Sequence, residues 1–159
     1  MARQQIKVFV NRRVAKGITR EVARTGLEYA ALQAENELID ILNVPPPRTG
    51  RIYPRPGGTS HRASAPTGGE MGGGEAPAND SGQLWQSIKS YVDEFGDSFR
   101  AVVGTPLNYG AWLQTGTDRI KPRPWITLLN NEKRWGRVLR AFRVGVRRQY
   151  SRAKRTLSE

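Results

Sequence analysis

The chain has 159 residues, 26 Lys and Arg against 14 Asp and Glu, one histidine and no cysteine. That length fits one domain with a modest core, and the 37% apolar content is low enough that some segments must lie outside it. Without cysteine there are no disulfide staples and no thiolate metal sites. No apolar run approaches the roughly 20 residues of a membrane helix, and the N-terminus lacks the continuous apolar segment of a signal peptide.

The net charge of +12 sits at the two ends. Residues 1–20 carry six bases and no acid, residues 133–159 carry ten bases and one acid, and the ten bases and thirteen acids between them leave the middle near −3. Such asymmetry points to a polyanion, most simply nucleic acid, or to acidic neighbouring subunits.

In chain order, residues 1–16 form a basic arm whose segment 5–10 reads as a short strand or docking arm. Residues 17–42 predict a long helix with two adjacent seams, one through Ile18, Val22, Thr25, Tyr29, Leu32, Asn36 and Ile39, the other through Leu27, Ala31, Ala34, Leu38 and Ile41. Glu21, Glu28, Glu35, Glu37 and Asp40 make its polar side, and Asn43 with Pro45-Pro46-Pro47 stops it. Residues 54–80 are dense in glycine and proline with no apolar periodicity, which predicts a mobile loop that orders only against partners.

A short helix follows from Gly82 to about Lys89, with Leu84, Trp85 and Ile88 on one side. Residues 90–94 and 98–104 predict an antiparallel pair turning at Phe95-Gly96-Asp97, with Tyr91, Phe99, Ala101 and Val103 on the buried face. Residues 107–115 predict another helix, with Pro106 near its first turn. The last helix is expected to begin at Pro124 and reach Thr156, with Trp125, Leu128, Trp135, Leu139, Phe142 and Val146 as its seam. Gly136 and Gly145 should each weaken it by roughly 1 kcal/mol relative to alanine. Arg137, Arg140, Arg143, Arg147, Arg148 and Arg152 make a cationic stripe, the candidate DNA-facing residues. The expected fold is α+β: a small antiparallel sheet packed against a long N-terminal helix and a long basic C-terminal helix (124–159 with its tail), with the long Gly/Pro-rich loop between.

Catalytic chemistry finds little support. His61 lies inside the expected loop, a poor scaffold for a triad with Ser60 or Ser64. Asp93, Glu94 and Asp97 read as solvated turn residues. No phosphate-binding glycine motif is present, so no nucleotide is expected, and with one histidine and no cysteine no transition-metal site is expected either. Of the tryptophans, Trp85 and Trp112 read as core, while Trp125 and Trp135 suit core or subunit interface equally.

From Gly50 to Ile126 the order of short motifs resembles a family of neck or tail-completion proteins of long-tailed bacteriophages and prophages. The motifs are Gly50-Arg51-Ile52-Tyr53, His61-Arg62-Ala63-Ser64-Ala65-Pro66-Thr67-Gly68, Pro77-Ala78-Asn79-Asp80-Ser81-Gly82-Gln83-Leu84 followed by Ser87-Ile88, and Val103-Gly104-Thr105. Then come Tyr109-Gly110-Ala111-Trp112-Leu113-Gln114-Thr115-Gly116-Thr117, where the family pattern has Tyr-Ala-x-x-x-Glu-x-Gly-Thr, and Arg123-Pro124-Trp125. The chain departs from the pattern in an extra Glu70–Glu75 segment, in Gln114-Thr115 replacing the usual acid before Gly-Thr, and in a longer basic C-terminal helix.

The resemblance implies a non-enzymatic virion protein, assembled in the host cytoplasm and placed at the head–tail junction or tail. It implies a homo-oligomeric ring, six- or twelve-fold, that joins head to tail or completes or terminates the tail, with DNA passing through its lumen. Partners would be an adjacent connector or stopper ring, tail-tube proteins and, nonspecifically, packaged DNA, with no membrane. Candidate oligomer or partner contacts are Tyr53, His61, Tyr109, Trp112, Thr117, Arg123, Trp125 and Trp135. The alternative is a sequence-nonspecific DNA-binding protein acting through the C-terminal helix, and deleting residues 137–159 should separate the two.

Overall fold

A computed structural model describes residues 5–9, 20–43, 52–54, 57–58, 60–62, 77, 82–95, 98–118 and 121–156. The order is β1 (Gln5–Phe9), α1 (Arg20–Asn43), β2 (Ile52–Pro54), β3 (Ser60–Arg62), α2 (Gln83–Gln86), β4 (Lys89–Phe95), β5 (Ser98–Gly104), α3 (Asn108–Thr115), a 3₁₀ turn (Thr127–Asn130) and α4 (Glu132–Thr156). The fold class is α+β, as the sequence predicts. The chain divides into two compact units, one taking Leu38–Ile88 and Thr105–Leu129, the other Gln5–Glu37, Lys89–Gly104 and Asn130–Glu159.

The second unit holds a three-stranded antiparallel sheet, order β1-β5-β4. β5 is the central strand, and Phe99 and the run from Ala101 to Gly104 are buried. Val92 stands opposite Ala101, whereas Tyr91 stands opposite Val102. Successive side chains alternate faces, so Tyr91 leaves the face that carries Phe99 and Ala101. It is 50% exposed, and Val92, partly buried, packs where Tyr91 was expected. Leu27 and Ala31 of α1 cluster with Phe99 and Ala101, with Val92 and Phe142 of α4 packed against them. Arg20 lies over the Phe99 ring, its Cζ 5.2 Å from the centroid, and pairs with Glu94 at 2.9 Å.

Of the two seams predicted on α1, that of Leu27, Ala31, Ala34, Leu38 and Ile41 is buried. The other turns outward in its second half, where Leu32 and Asn36 are exposed. Glu37, expected on the polar side, is only 1% exposed.

α4 begins at Glu132, not at Pro124. Residues 121–125 are irregular, and the 3₁₀ turn intervenes before Asn131 caps the helix. The Asn131 side-chain oxygen accepts the Lys133 N–H at 3.1 Å. The break resets the helical phase. Val138 becomes fully buried while Leu139, assigned to the seam, is exposed.

The two glycines of α4 differ in kind. A Cβ on Gly145 would meet the Thr25 carbonyl oxygen at 2.8 Å and Gly26 Cα at 3.0 Å, and one on Gly26 would meet Val146 at 2.7 Å. These glycines let α1 and α4 cross at close range, so the missing Cβ is a packing requirement at this point. A Cβ on Gly136 would meet nothing within 4 Å. Gly136→Ala should therefore stabilise by about 1 kcal/mol. Gly145→Ala should destabilise by about 1–3 kcal/mol, since the obstructing atom is backbone. Urea midpoints of the two variants should move in opposite directions.

The first unit contains β2 and β3, paired antiparallel with Tyr53 opposite His61 and Pro54 opposite Ser60. Ser60–Arg62 is therefore a strand where composition predicts loop. Gly57 and Gly58, at φ 90° and 77°, adopt in the connection a backbone conformation that other residues rarely take. The remainder of the 54–80 loop lies almost wholly outside the described residues, as does most of the basic N-terminal arm. No described helix is long and apolar enough to cross a membrane.

Candidate docking module and cationic helix

In the first unit, the stretch after β5 is locked from within. Thr105 is buried, and its hydroxyl accepts the Leu107 N–H at 3.1 Å. That hydroxyl also lies 2.6 Å from the Ser87 hydroxyl, which donates to the Leu84 carbonyl at 2.7 Å. Ser87 has one hydroxyl proton, so Thr105 donates to Ser87. α3 follows and ends at Gly116, whose N–H returns to the Trp112 carbonyl at 2.8 Å.

The irregular segment beyond Gly116 then folds back on α3. The Arg123 N–H donates to the Leu113 carbonyl at 2.6 Å. The Gln114 side-chain oxygen accepts the main-chain N–H groups of both Trp125 and Ile126, each at 2.9 Å. The Trp125 indole N–H donates to the Gly110 carbonyl at 3.1 Å, and its side chain is fully buried. One amide oxygen thus holds two successive peptide groups, and one indole fixes the segment to the helix.

This rigid frame presents Tyr109 and Trp112 outward, 44% and 49% exposed. Trp112, expected in the core from its residue type, is at the surface; Trp125 is core, which removes it from the candidate contacts. Burial of its inner part raises the Tyr109 phenol pKa above its ordinary value, and the Arg123 cation opposes that rise. Thr117 is exposed and Arg123 half-buried. The backbone at Tyr53 and His61 is paired, but their side chains lie outside the described residues. Trp135, in the second unit, is half-buried. The candidate contacts therefore gather around Tyr109 and Trp112 in one place and around the β2–β3 hairpin in another.

In the second unit, α4 sorts its bases into two groups. Arg134 and Arg137 turn toward a buried carboxylate. Arg134 Nη1 lies 2.8 Å from a Glu37 oxygen, and Arg137 grips the same carboxylate through Nε and Nη2. Gln33 adds a side-chain N–H at 2.9 Å. The Arg137 bonds hold the Glu37 carboxyl below its ordinary pKa of 4.5, burial opposes them, and Gln33 and Arg134 add to the lowering. Arg148 donates to the Tyr29 hydroxyl at 2.9 Å, and its Cζ lies 5.6 Å from that ring's centroid. Arg137 and Arg148, both on the predicted DNA-facing stripe, are thus engaged within the fold.

Arg140, Arg143, Arg147 and Arg152 are exposed, as is Lys133, which the stripe omitted. The seven-residue spacing of Lys133, Arg140 and Arg147 was the available signal, hidden by the misplaced helix start. Searches against protein-family models, curated proteins and solved structures match nothing for this chain.

Proposed function

We propose that this chain is a structural subunit of a phage neck, forming a homo-oligomeric ring at the head–tail junction through which DNA passes. The observation that carries the reading is the locked module from Thr105 to Ile126. It holds two exposed aromatics on a helix whose own segment is pinned by Gln114 and Trp125. Aromatic side chains held rigidly at a surface lose little entropy on contact and are favoured interface anchors. The family motifs Val103-Gly104-Thr105, Gln114-Thr115-Gly116-Thr117 and Arg123-Pro124-Trp125 supply the pins and turns of this module or lead directly into it. Tyr109 and Trp112 are its outward contacts with a neighbouring subunit or an adjacent ring.

Electron microscopy and sedimentation of the purified full-length chain should show closed rings, alone or on connector or tail-tube rings. Tyr109→Ala with Trp112→Ala should weaken assembly by about tenfold or more per residue while leaving the circular dichroism unchanged. A stable monomer at high concentration, binding neither kind of ring, would overturn the reading.

A further inference from the structure

The outer face of α4 is a candidate nucleic-acid surface whose residues follow from helix geometry. Each residue turns the helix by about 100°. With the fully buried Val138 as the inward direction, Lys133, Arg140, Arg143 and Arg147 fall within roughly 40° of the opposite side. All four are exposed. Lys133 to Arg147 spans about 21 Å of helix axis. Glu132, in the first turn, is the only acid in α4 and lies off this arc.

The same arc also carries Gly136, Ser151 and Lys154, and no apolar or aromatic residue. A protein-binding surface places aromatics and aliphatics at its centre and keeps charge to its rim. A face whose centre holds guanidinium and ammonium groups, with the exposed Val144 and Tyr150 only at its edges about 60° away, suits phosphate oxygens, which arginine binds in bidentate fashion. Three other arginines of α4 show why these four differ: Arg134 and Arg137 hold Glu37, and Arg148 lies on Tyr29.

The geometry points to Lys133, Arg140, Arg143 and Arg147 as a sequence-nonspecific contact for the phosphate backbone of duplex DNA. This inference does not rest on the neck reading. The helix lies along the backbone and neutralises one phosphate per side chain, without reading bases. Arg137 and Arg148 contribute to the fold instead. Deleting residues 137–159 is consequently a poor test, because it removes Val138 and Phe142 from the core and takes Arg137 from Glu37.

The test measures affinity of the full-length chain for a mixed-sequence duplex of about 20 base pairs across a salt series, by fluorescence anisotropy. Each neutralised phosphate contributes about 0.9 to the slope of log affinity against log salt. Arg140→Ala, Arg143→Ala and Arg147→Ala together should lower that slope by about 2.7, so the affinity lost between 50 and 200 mM salt shrinks by about 40-fold. The corresponding triple lysine variant should keep the slope. Arg24→Ala and Arg148→Ala should leave it within about one unit of the parent.

Alanine at exposed mid-helix positions preserves helicity, which circular dichroism checks. An unchanged slope in the folded triple alanine variant would overturn the assignment. So would binding to poly-glutamate but not to duplex, which would identify an acidic protein surface as the partner. Ring assembly, followed in the same variants by mass photometry, reports separately on the neck reading.

Discussion

Replacing both Arg134 and Arg137 with alanine should destabilise the second unit by about 3–5 kcal/mol, more than replacing Glu37 with glutamine. The asymmetry follows from burial. The Glu37 side chain is 2% exposed, whereas those of Arg134 and Arg137 are 29% and 45% exposed. Arginines deprived of their carboxylate regain water, so Glu37→Gln should cost only about 1–3 kcal/mol. A carboxylate deprived of its arginines stays desolvated, with Gln33 as its remaining donor.

The pH dependence should reverse as well. In the parent, the Glu37 pKa is depressed on folding. Its stabilising contribution is therefore present above the unfolded value near 4.5 and lost as pH falls below it. Without the arginines, burial dominates and the folded pKa should rise above the unfolded one. The contribution is then greatest at low pH and lost as pH rises from about 4.5. Urea midpoints across pH 3–8, compared with the same variants carrying Glu37→Gln, isolate this titration. A double alanine variant whose Glu37-dependent stability still falls on acidification would sink the account.

Glu37 also shows where sequence reading reached its limit. Leu27, Ala31, Ala34, Leu38 and Ile41 were legible because an apolar seam repeats at the helical period whatever it packs against. A glutamate between Asn36 and Leu38 reads as polar surface, since its burial depends on partners about 100 residues away. The same limit explains α4. Proline commonly opens helices, so Pro124 was a reasonable start. Yet the Trp125 and Ile126 amides bond to Gln114, Thr127 to Asn130 form a 3₁₀ turn, and the helix starts only behind Asn131. Asn131-Glu132 was a visible start signal that the proline outranked.

The strands were legible from alternation around Phe95-Gly96-Asp97, but the face of Tyr91 was not. A strand's period assigns two faces, and only the pairing register decides which residue joins Phe99 and Ala101. The charge at the C-terminus was visible in composition alone. Its division into arginines that pair with Glu37 and arginines left outward depended on the position of Glu37 and on where α4 begins.

Gln114→Leu should destabilise the first unit by about 2–5 kcal/mol, because a side chain of similar size would leave two buried main-chain N–H groups without an acceptor, at about 1–3 kcal/mol each. Gln114→Glu should not: a carboxylate accepts both bonds and strengthens them through its charge. This pair separates the acceptor from the shape. Trp125→Ala should cost about 3–5 kcal/mol, combining the cavity left by a fully buried indole with the loss of its bond to the Gly110 carbonyl. Trp125→Phe should cost less, keeping most of the ring volume while losing the N–H.

Amide exchange gives the local readout. In Gln114→Leu the Trp125 and Ile126 amides should exchange at least about thirtyfold faster, the factor that about 2 kcal/mol represents. Amides of β5, in the other unit, serve as the reference. If Gln114→Leu leaves both stability and these two amides unchanged, the segment is held by the indole and the Arg123–Leu113 main-chain bond without Gln114. The module would then tolerate any residue at position 114. If Gln114→Glu matches or exceeds the parent while leucine fails, what position 114 contributes is an acceptor for two main-chain N–H groups, and no salt bridge is needed to aim Tyr109 and Trp112.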